Sequence, residues 1–259
     1  MPEHLIILLI IGLAAGVLSG LFGIGGGVFI VPALVTILGF SLHEAAGTSL
    51  AALLLPVGIF AAITFGKARL LDLRGATMIA LGLMTGVFGG AKLAIFMQAD
   101  YLKFLYGIFL LFVSYRYIDP INLTKMWMGK KIKLPEENYQ TSAEWYKTFL
   151  LGLAAGILSG LFGIGGGVII VPVLVSLFHY DQRVAAGTSL GSLLLPVGLP
   201  GVLVFLKAGA FSIYKAAPVA LGLLIGAYFG AHIAVRVPSR HLKRAYGVFL
   251  LLIGLKYLF

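Results

Sequence analysis

The sequence contains no cysteine, which excludes disulfides, thiolate metal sites and cysteine nucleophiles. Charge is nearly as scarce: 11% of the 259 residues are charged against 60% that are hydrophobic, more apolar surface than a water-soluble core can use. The nine acidic residues, Glu3, Glu44, Asp72, Asp100, Asp119, Glu136, Glu137, Glu144 and Asp181, all map to termini, connections or the ends of apolar runs. No carboxylate is expected at the middle of a bilayer, an absence that speaks against a cation pump or an Asp/Glu proton relay and suits an anion pathway. No helix is expected to carry the paired carboxylates, HExxH or Ser/His/Asp grouping that hydrolysis within a membrane would require. No catalytic residue, metal site or cofactor is therefore expected, and an enzyme is disfavoured.

What is present is a series of long apolar runs, several of them reaching the roughly 20 residues that cross a hydrocarbon layer. The net charge of +10 sits in short connections between those runs, the pattern of membrane orientation rather than of nucleic-acid binding. The first run, Leu5 to Phe22, is not preceded by Lys or Arg and recurs later in the chain, so it is expected to belong to the mature fold rather than to a signal peptide.

The chain repeats itself. Leu13 to Pro32 (LAAGVLSGLFGIGGGVFIVP) returns as Leu153 to Pro172 with two changes, at an offset of 140 residues. The same offset carries AGTSL from Ala46–Leu50 onto Ala186–Leu190, and LLLPVG from Leu53–Gly58 onto Leu193–Gly198. Each unit holds four apolar segments, near Leu5–Gly39, Glu44–Gly66, Gly75–Met97 and Tyr101–Ile118, then Trp145–Phe178, Val184–Leu206, Ser212–Val235 and Arg240–Phe259. The expected architecture is all-α and polytopic, with membrane repeats over residues 1–118 and 145–259 and a polar linker over 119–144. Trp127 and Trp145 are expected at the lipid headgroups.

The opening segment of each unit is too long for one span and contains Gly23-Ile24-Gly25-Gly26-Gly27 or Gly163-Ile164-Gly165-Gly166-Gly167. Each glycine costs a helix about 1 kcal/mol relative to alanine, so a break is expected there, with Pro32 or Pro172 in the first turn of a new helix. Unwound backbone at membrane depth survives only inside protein or beside a watery cavity. If each opening segment doubles back, the halves are inverted and the connections divide 14 basic residues against 4, with linker and basic connections on the cytoplasmic side. Simple spans divide them 12 against 6. The inverted arrangement is expected, with its glycine turns face to face, as in secondary transporters with discontinuous helices.

Duplicated GIGGG(x)₃VP and AGTSL elements in a short helical membrane protein resemble the sulfite exporter TauE/SafE family, over nearly the whole chain. The resemblance implies a transporter, an exporter, of a small and often sulfur-containing anion such as sulfite, thiosulfate or an organosulfonate. It places the family motifs on Gly23, Gly25, Gly26, Gly27, Gly163, Gly165, Gly166 and Gly167, and on Thr48, Ser49, Thr188 and Ser189. The residues themselves suit that role, because successive backbone N–H groups can converge on an anion and hydroxyls can donate to it without fixed charge. Glycines can instead simply permit close helix packing, the reading preferred for Gly82 and Gly222, and hydroxyls can bond to their own helix. Ser19 and Ser159, four residues before each break, are further candidates. Lys92 and His232 share one repeat position; Lys92 is expected to snorkel or to attract anions, and His232 to be a satisfied neutral histidine or a coupling group. The expected partners are the lipid bilayer and a small anionic solute, with no nucleic acid, in a multi-pass protein of the cell membrane. A passive anion channel, or transport of a small carboxylate, is the alternative.

Overall fold

The structure, a computed structural model, describes residues 2–22, 25–55, 70–118, 143–234 and 239–258. Every regular element among them is a helix. The first half holds α1 (Pro2–Phe22), α2 (Gly27–Leu38), α3 (Leu42–Ala52), α4 (Leu73–Phe96) and α5 (Ala99–Ile118). The second holds α6 (Trp145–Phe162), α7 (Gly167–Ser176), α8 (Gln182–Ser192), α9 (Leu199–Lys207), α10 (Ile213–Ala234) and α11 (Ser239–Leu258). Among the described residues, Leu73–Phe96, Trp145–Phe162 and Ile213–Gly230 are long and apolar enough to cross a membrane.

Both opening segments break at the glycine run. Gly25 and Gly26 take φ of +83° and +74°, and Gly163, Gly165 and Gly166 take +73°, +77° and +77°, left-handed values that cost any residue with a Cβ. Gly26 and Gly166 cap the new helices. Gly23 lies outside the described residues. The proline expectation is corrected: Pro32 and Pro172 sit inside α2 and α7, because the positive-φ glycines start each helix at once and leave the proline more than a turn further on. The hydroxyls of Thr36 and Ser176 donate to the Pro32 and Pro172 carbonyls at 2.7 and 2.6 Å.

A second correction concerns Val184–Leu206, which is two helices, α8 and α9, rather than one run. Pro196 lacks the N–H a helix would need there. The chain turns instead, with Val197 N–H donating to the Leu195 carbonyl at 2.6 Å and Leu199 N–H to the Pro196 carbonyl at 2.9 Å. The matching stretch of the first half, 56–69, lies outside the described residues.

The halves interlock through glycine. On α1, Gly12 and Gly16 lie against the backbone of Val219 and Leu223 in α10, and at the repeat offset Gly152 and Gly156 of α6 lie against Ile79 and Leu83 of α4. Numbers rise together along each pair, so both pairs are parallel. Gly82 and Gly222 face the carbonyls of Phe149 and Leu9, as the packing reading expects. In contrast, α5 and α11, themselves repeat-mates, pack antiparallel: Gly107 faces Gly254 and Leu258, while the Ser114 hydroxyl donates to the Gly247 carbonyl at 2.8 Å.

A Cβ on Gly156 would stand 2.6 Å from the Leu83 carbonyl oxygen and 2.9 Å from the Gly86 Cα. Both obstacles are backbone and cannot swing aside. Gly156→Val is therefore expected to cost at least about 3 kcal/mol, at the upper end of overpacking penalties, read as loss of monodisperse protein or a large fall in Tm in detergent.

Candidate functional site

The two glycine breaks touch. A Cβ on Gly27 would meet the Gly163 carbonyl oxygen at 2.6 Å and Ile164 Cα at 2.8 Å, so main chain from one half lies directly on main chain from the other. Gly163 in turn lies on α3, where its Cβ would be 2.6 Å from Ala46 Cα. The Ser49 hydroxyl, from the AGTSL element on that helix, donates to the Gly163 carbonyl at 2.6 Å. One half's serine thus holds the other half's break.

Several glycine amides are occupied within the protein. Gly27 and Gly167 N–H donate to the carbonyls of Gly25 and Gly165 at 2.9 and 3.0 Å. Gly163 N–H donates to the Ser159 carbonyl at 2.7 Å and Gly165 N–H to the Ser159 hydroxyl oxygen at 3.0 Å. Ser159 is buried, and it braces the turn. The N–H groups of Gly26, Val28, Gly166 and Val168 have no acceptor among the described residues, as expected of the first turn of α2 and α7. Those are the positive ends of two short helices at the junction of the halves. Ser19 is buried beside Gly26, with its Cβ 3.5 Å from where a Gly26 Cβ would stand.

The hydroxyls divide differently from the amides. Thr48, Ser49, Thr188 and Ser189 are all fully buried. Ser49 is committed to Gly163, and the Thr188 hydroxyl oxygen accepts from Asp72 N–H at 3.1 Å. Thr48 Oγ1 and Ser189 Oγ have no partner among the described residues. An unpaired polar atom in a dry interior costs about 1–3 kcal/mol, and native proteins keep few of them without reason.

Lys92 is not part of this group. It is exposed near the end of α4, its ammonium 4.4 Å from the Phe88 ring centroid. His232 lies in α10, and its side chain falls outside the described residues.

A cluster that the motifs do not announce ties the AGTSL element to the molecule's end. Asp72 Oδ1 accepts from Gly75 N–H at 2.9 Å and caps α4, while Oδ2 accepts from the Tyr180 hydroxyl at 2.7 Å. Tyr180 is fully buried, and its oxygen also accepts from Ala143 N–H at 2.7 Å. Burial, then the neighbouring Asp72 carboxylate, push the phenol's pKa well above its ordinary value, so it remains a donor. The repeat positions 140 residues away are Ser212 and Phe40, and a different contact, made by Lys215, forms beside them. Its ammonium lies 2.7 Å from Glu44 Oε1 and 4.7 Å from the Phe40 ring centroid. The available sign was that these positions differ within otherwise repeated sequence. Tyr180→Phe strips the carboxylate of a charge-assisted hydrogen bond and is expected to cost about 1.5–3 kcal/mol, measured by thermal unfolding in detergent.

Two short helices with unclaimed amides, buried hydroxyls and no acidic side chain among those described at the junction form a neutral, donor-rich interior. The sequence model of the sulfite exporter TauE/SafE family matches residues 8–257. The chain belongs to that family. It is 30% identical over 255 residues to a probable membrane transporter protein of Methanocaldococcus jannaschii, covering 92% of this chain and 89% of that one. It is 29% identical over 236 residues to the probable membrane transporter protein YdhB of Bacillus subtilis, covering 89% and 90%. A probable membrane transporter protein of Haemophilus influenzae is 26% identical over 275 residues, with 98% of both chains covered. No solved structure matches. This TauE/SafE family member is an integral membrane protein, and its family and relatives indicate a membrane transporter rather than an enzyme.

Proposed function

We propose that this TauE/SafE protein is a secondary transporter of the cell membrane that carries a small anion, a sulfur oxyanion or organosulfonate, outward by alternating access. The anion sits where the two glycine breaks meet. The unclaimed N–H groups at the starts of α2 and α7 receive it, and the hydroxyls of Thr48 and Ser189 complete its coordination, without a fixed positive charge that would hold it too tightly. Ser49 and Thr188 act one step back, the first by shaping the Gly163 turn and the second by linking to Asp72. The observation that carries this reading is the pair of fully buried, unpartnered hydroxyls in motifs from both halves.

Repeats 1–118 and 145–259 are inverted in this proposal, with linker 119–144 in the cytoplasm. Contacts across the halves favour it. Asp72 with Tyr180, and Glu44 with Lys215, join connections that simple parallel spans would put on opposite faces of the bilayer. The antiparallel pairing of repeat-mates α5 and α11 points the same way. In this arrangement the linker and the basic connections would share one face, as the charge bias requires.

Ligand choice is tested by thermal stabilisation of the purified protein with sulfite, thiosulfate, an organosulfonate and small carboxylates, since a ligand of the folded state raises its stability. Stabilisation by carboxylates alone would overturn the sulfur assignment. Counterflow in vesicles is expected of a carrier; single-channel currents would speak for a pore. For topology, the exposed repeat-mates Arg74 and Tyr214, each replaced by cysteine in this cysteine-free chain, are expected to label from opposite sides. Labelling from one side would defeat the inversion.

A further inference from the structure

Away from the junction, α4 and α9 enclose a cleft of about 610 Å³ on the outer surface of the helix bundle. Its walls are apolar, with Phe88, Phe96, Leu199 and Leu203 all exposed along it. Two lysines line the same cleft: Lys92, one turn before the end of α4, and Lys207, the last residue of α9. Neither ammonium has an acidic partner among the described residues. Gly201 of α9 packs on Val87 and Ala91 of α4, and Lys92 and Lys207 both line the cleft that this contact leaves beside it.

We infer that this cleft binds an anionic phospholipid, its phosphate between Lys92 and Lys207 and an acyl chain along Phe88 and Leu203. The chemistry of the lining selects the class. Two unpaired ammonium groups beside a hydrocarbon layer are costly until an anion neutralises them, and basic pockets between spanning helices are a recurrent site for acidic headgroups. A small inorganic anion would satisfy the lysines but leave the aromatic and aliphatic wall bare. An uncharged lipid would cover the wall but leave the charges unpaired. An anionic amphiphile matches both halves of the lining. Phe88 strengthens the arrangement, because its ring face holds the Lys92 ammonium at 4.4 Å and so keeps the charge at the cleft rather than free to swing into water. The inference stands apart from the anion site proposed above, sharing none of its residues.

The test uses the full chain, purified in neutral detergent and unfolded thermally with added phosphatidylglycerol, phosphatidylcholine or inorganic phosphate. Phosphatidylglycerol is expected to raise Tm by about 5 °C and phosphatidylcholine and phosphate to raise it by much less. In Lys92→Gln/Lys207→Gln the phosphatidylglycerol shift is expected to fall by at least half, with Tm in detergent alone nearly unchanged. If the double variant does not fold, Lys207→Gln alone is read in the same way, with a smaller expected loss of the shift. An equal shift with phosphatidylcholine, a full shift with inorganic phosphate, or an undiminished phosphatidylglycerol shift in the variant would each overturn the assignment.

Discussion

Gly163→Val is expected to yield no folded protein, or one whose Tm in detergent falls so far that purification fails. Two penalties act at one residue. The backbone holds φ at +73°, a conformation that costs a β-branched residue most of all. The added Cβ would also stand 2.6 Å from Ala46 Cα and 2.7 Å from its carbonyl oxygen, main chain that can move only by shifting α3. Together they exceed about 4 kcal/mol, the range reserved for failures of special backbone and core. Gly89→Ala is the control, since a Cβ there meets nothing within 4 Å; its Tm should stay close to that of the parent protein, because alanine also favours the helix.

Thr48→Val combined with Ser189→Ala is expected to separate stability from transport. Both hydroxyls are fully buried and unpartnered, so replacing them by apolar groups of similar shape removes an unpaid desolvation cost and should leave Tm unchanged or higher. If they coordinate the anion, the same change should lower flux by 10-fold or more, the loss expected when donors meant for a charged ligand disappear. A drop in Tm with normal flux would assign them to the scaffold instead. Ser49→Ala should behave oppositely, because its hydroxyl already serves the Gly163 carbonyl; the main effect there is a loss of stability.

The features that were legible in sequence are those that depend on local backbone chemistry. Consecutive glycines announce a break because no neighbour can rescue a helix through them, and the offset of 140 residues told which segments must behave alike. Gly82 and Gly222 could be read as packing residues from small size alone. Which amide or hydroxyl is left without a partner could not be read, since that depends on contacts between halves: Ser49 and Thr48 are adjacent, yet one bonds across to Gly163 and the other to none of the described residues. The split of Val184–Leu206 was within reach, because Pro196 stands in its middle and breaks a helix for its own reasons. The Asp72–Tyr180 pair was not, as its partners lie 108 residues apart.

The two unlike fastenings respond differently to the surrounding medium. Tyr180 and Asp72 are joined by hydrogen bonds around a fully buried ring, which dissolved ions barely influence. Lys215 and Glu44 form a partly exposed ion pair, with side chains 46% and 23% accessible, and mobile ions weaken such pairs as the screening length shrinks from about 10 Å at 0.1 M to about 3 Å at 1 M. Rising ionic strength should therefore weaken the Lys215–Glu44 fastening and spare the Tyr180–Asp72 one, so that salt acts unequally on the two halves of a nearly duplicated molecule.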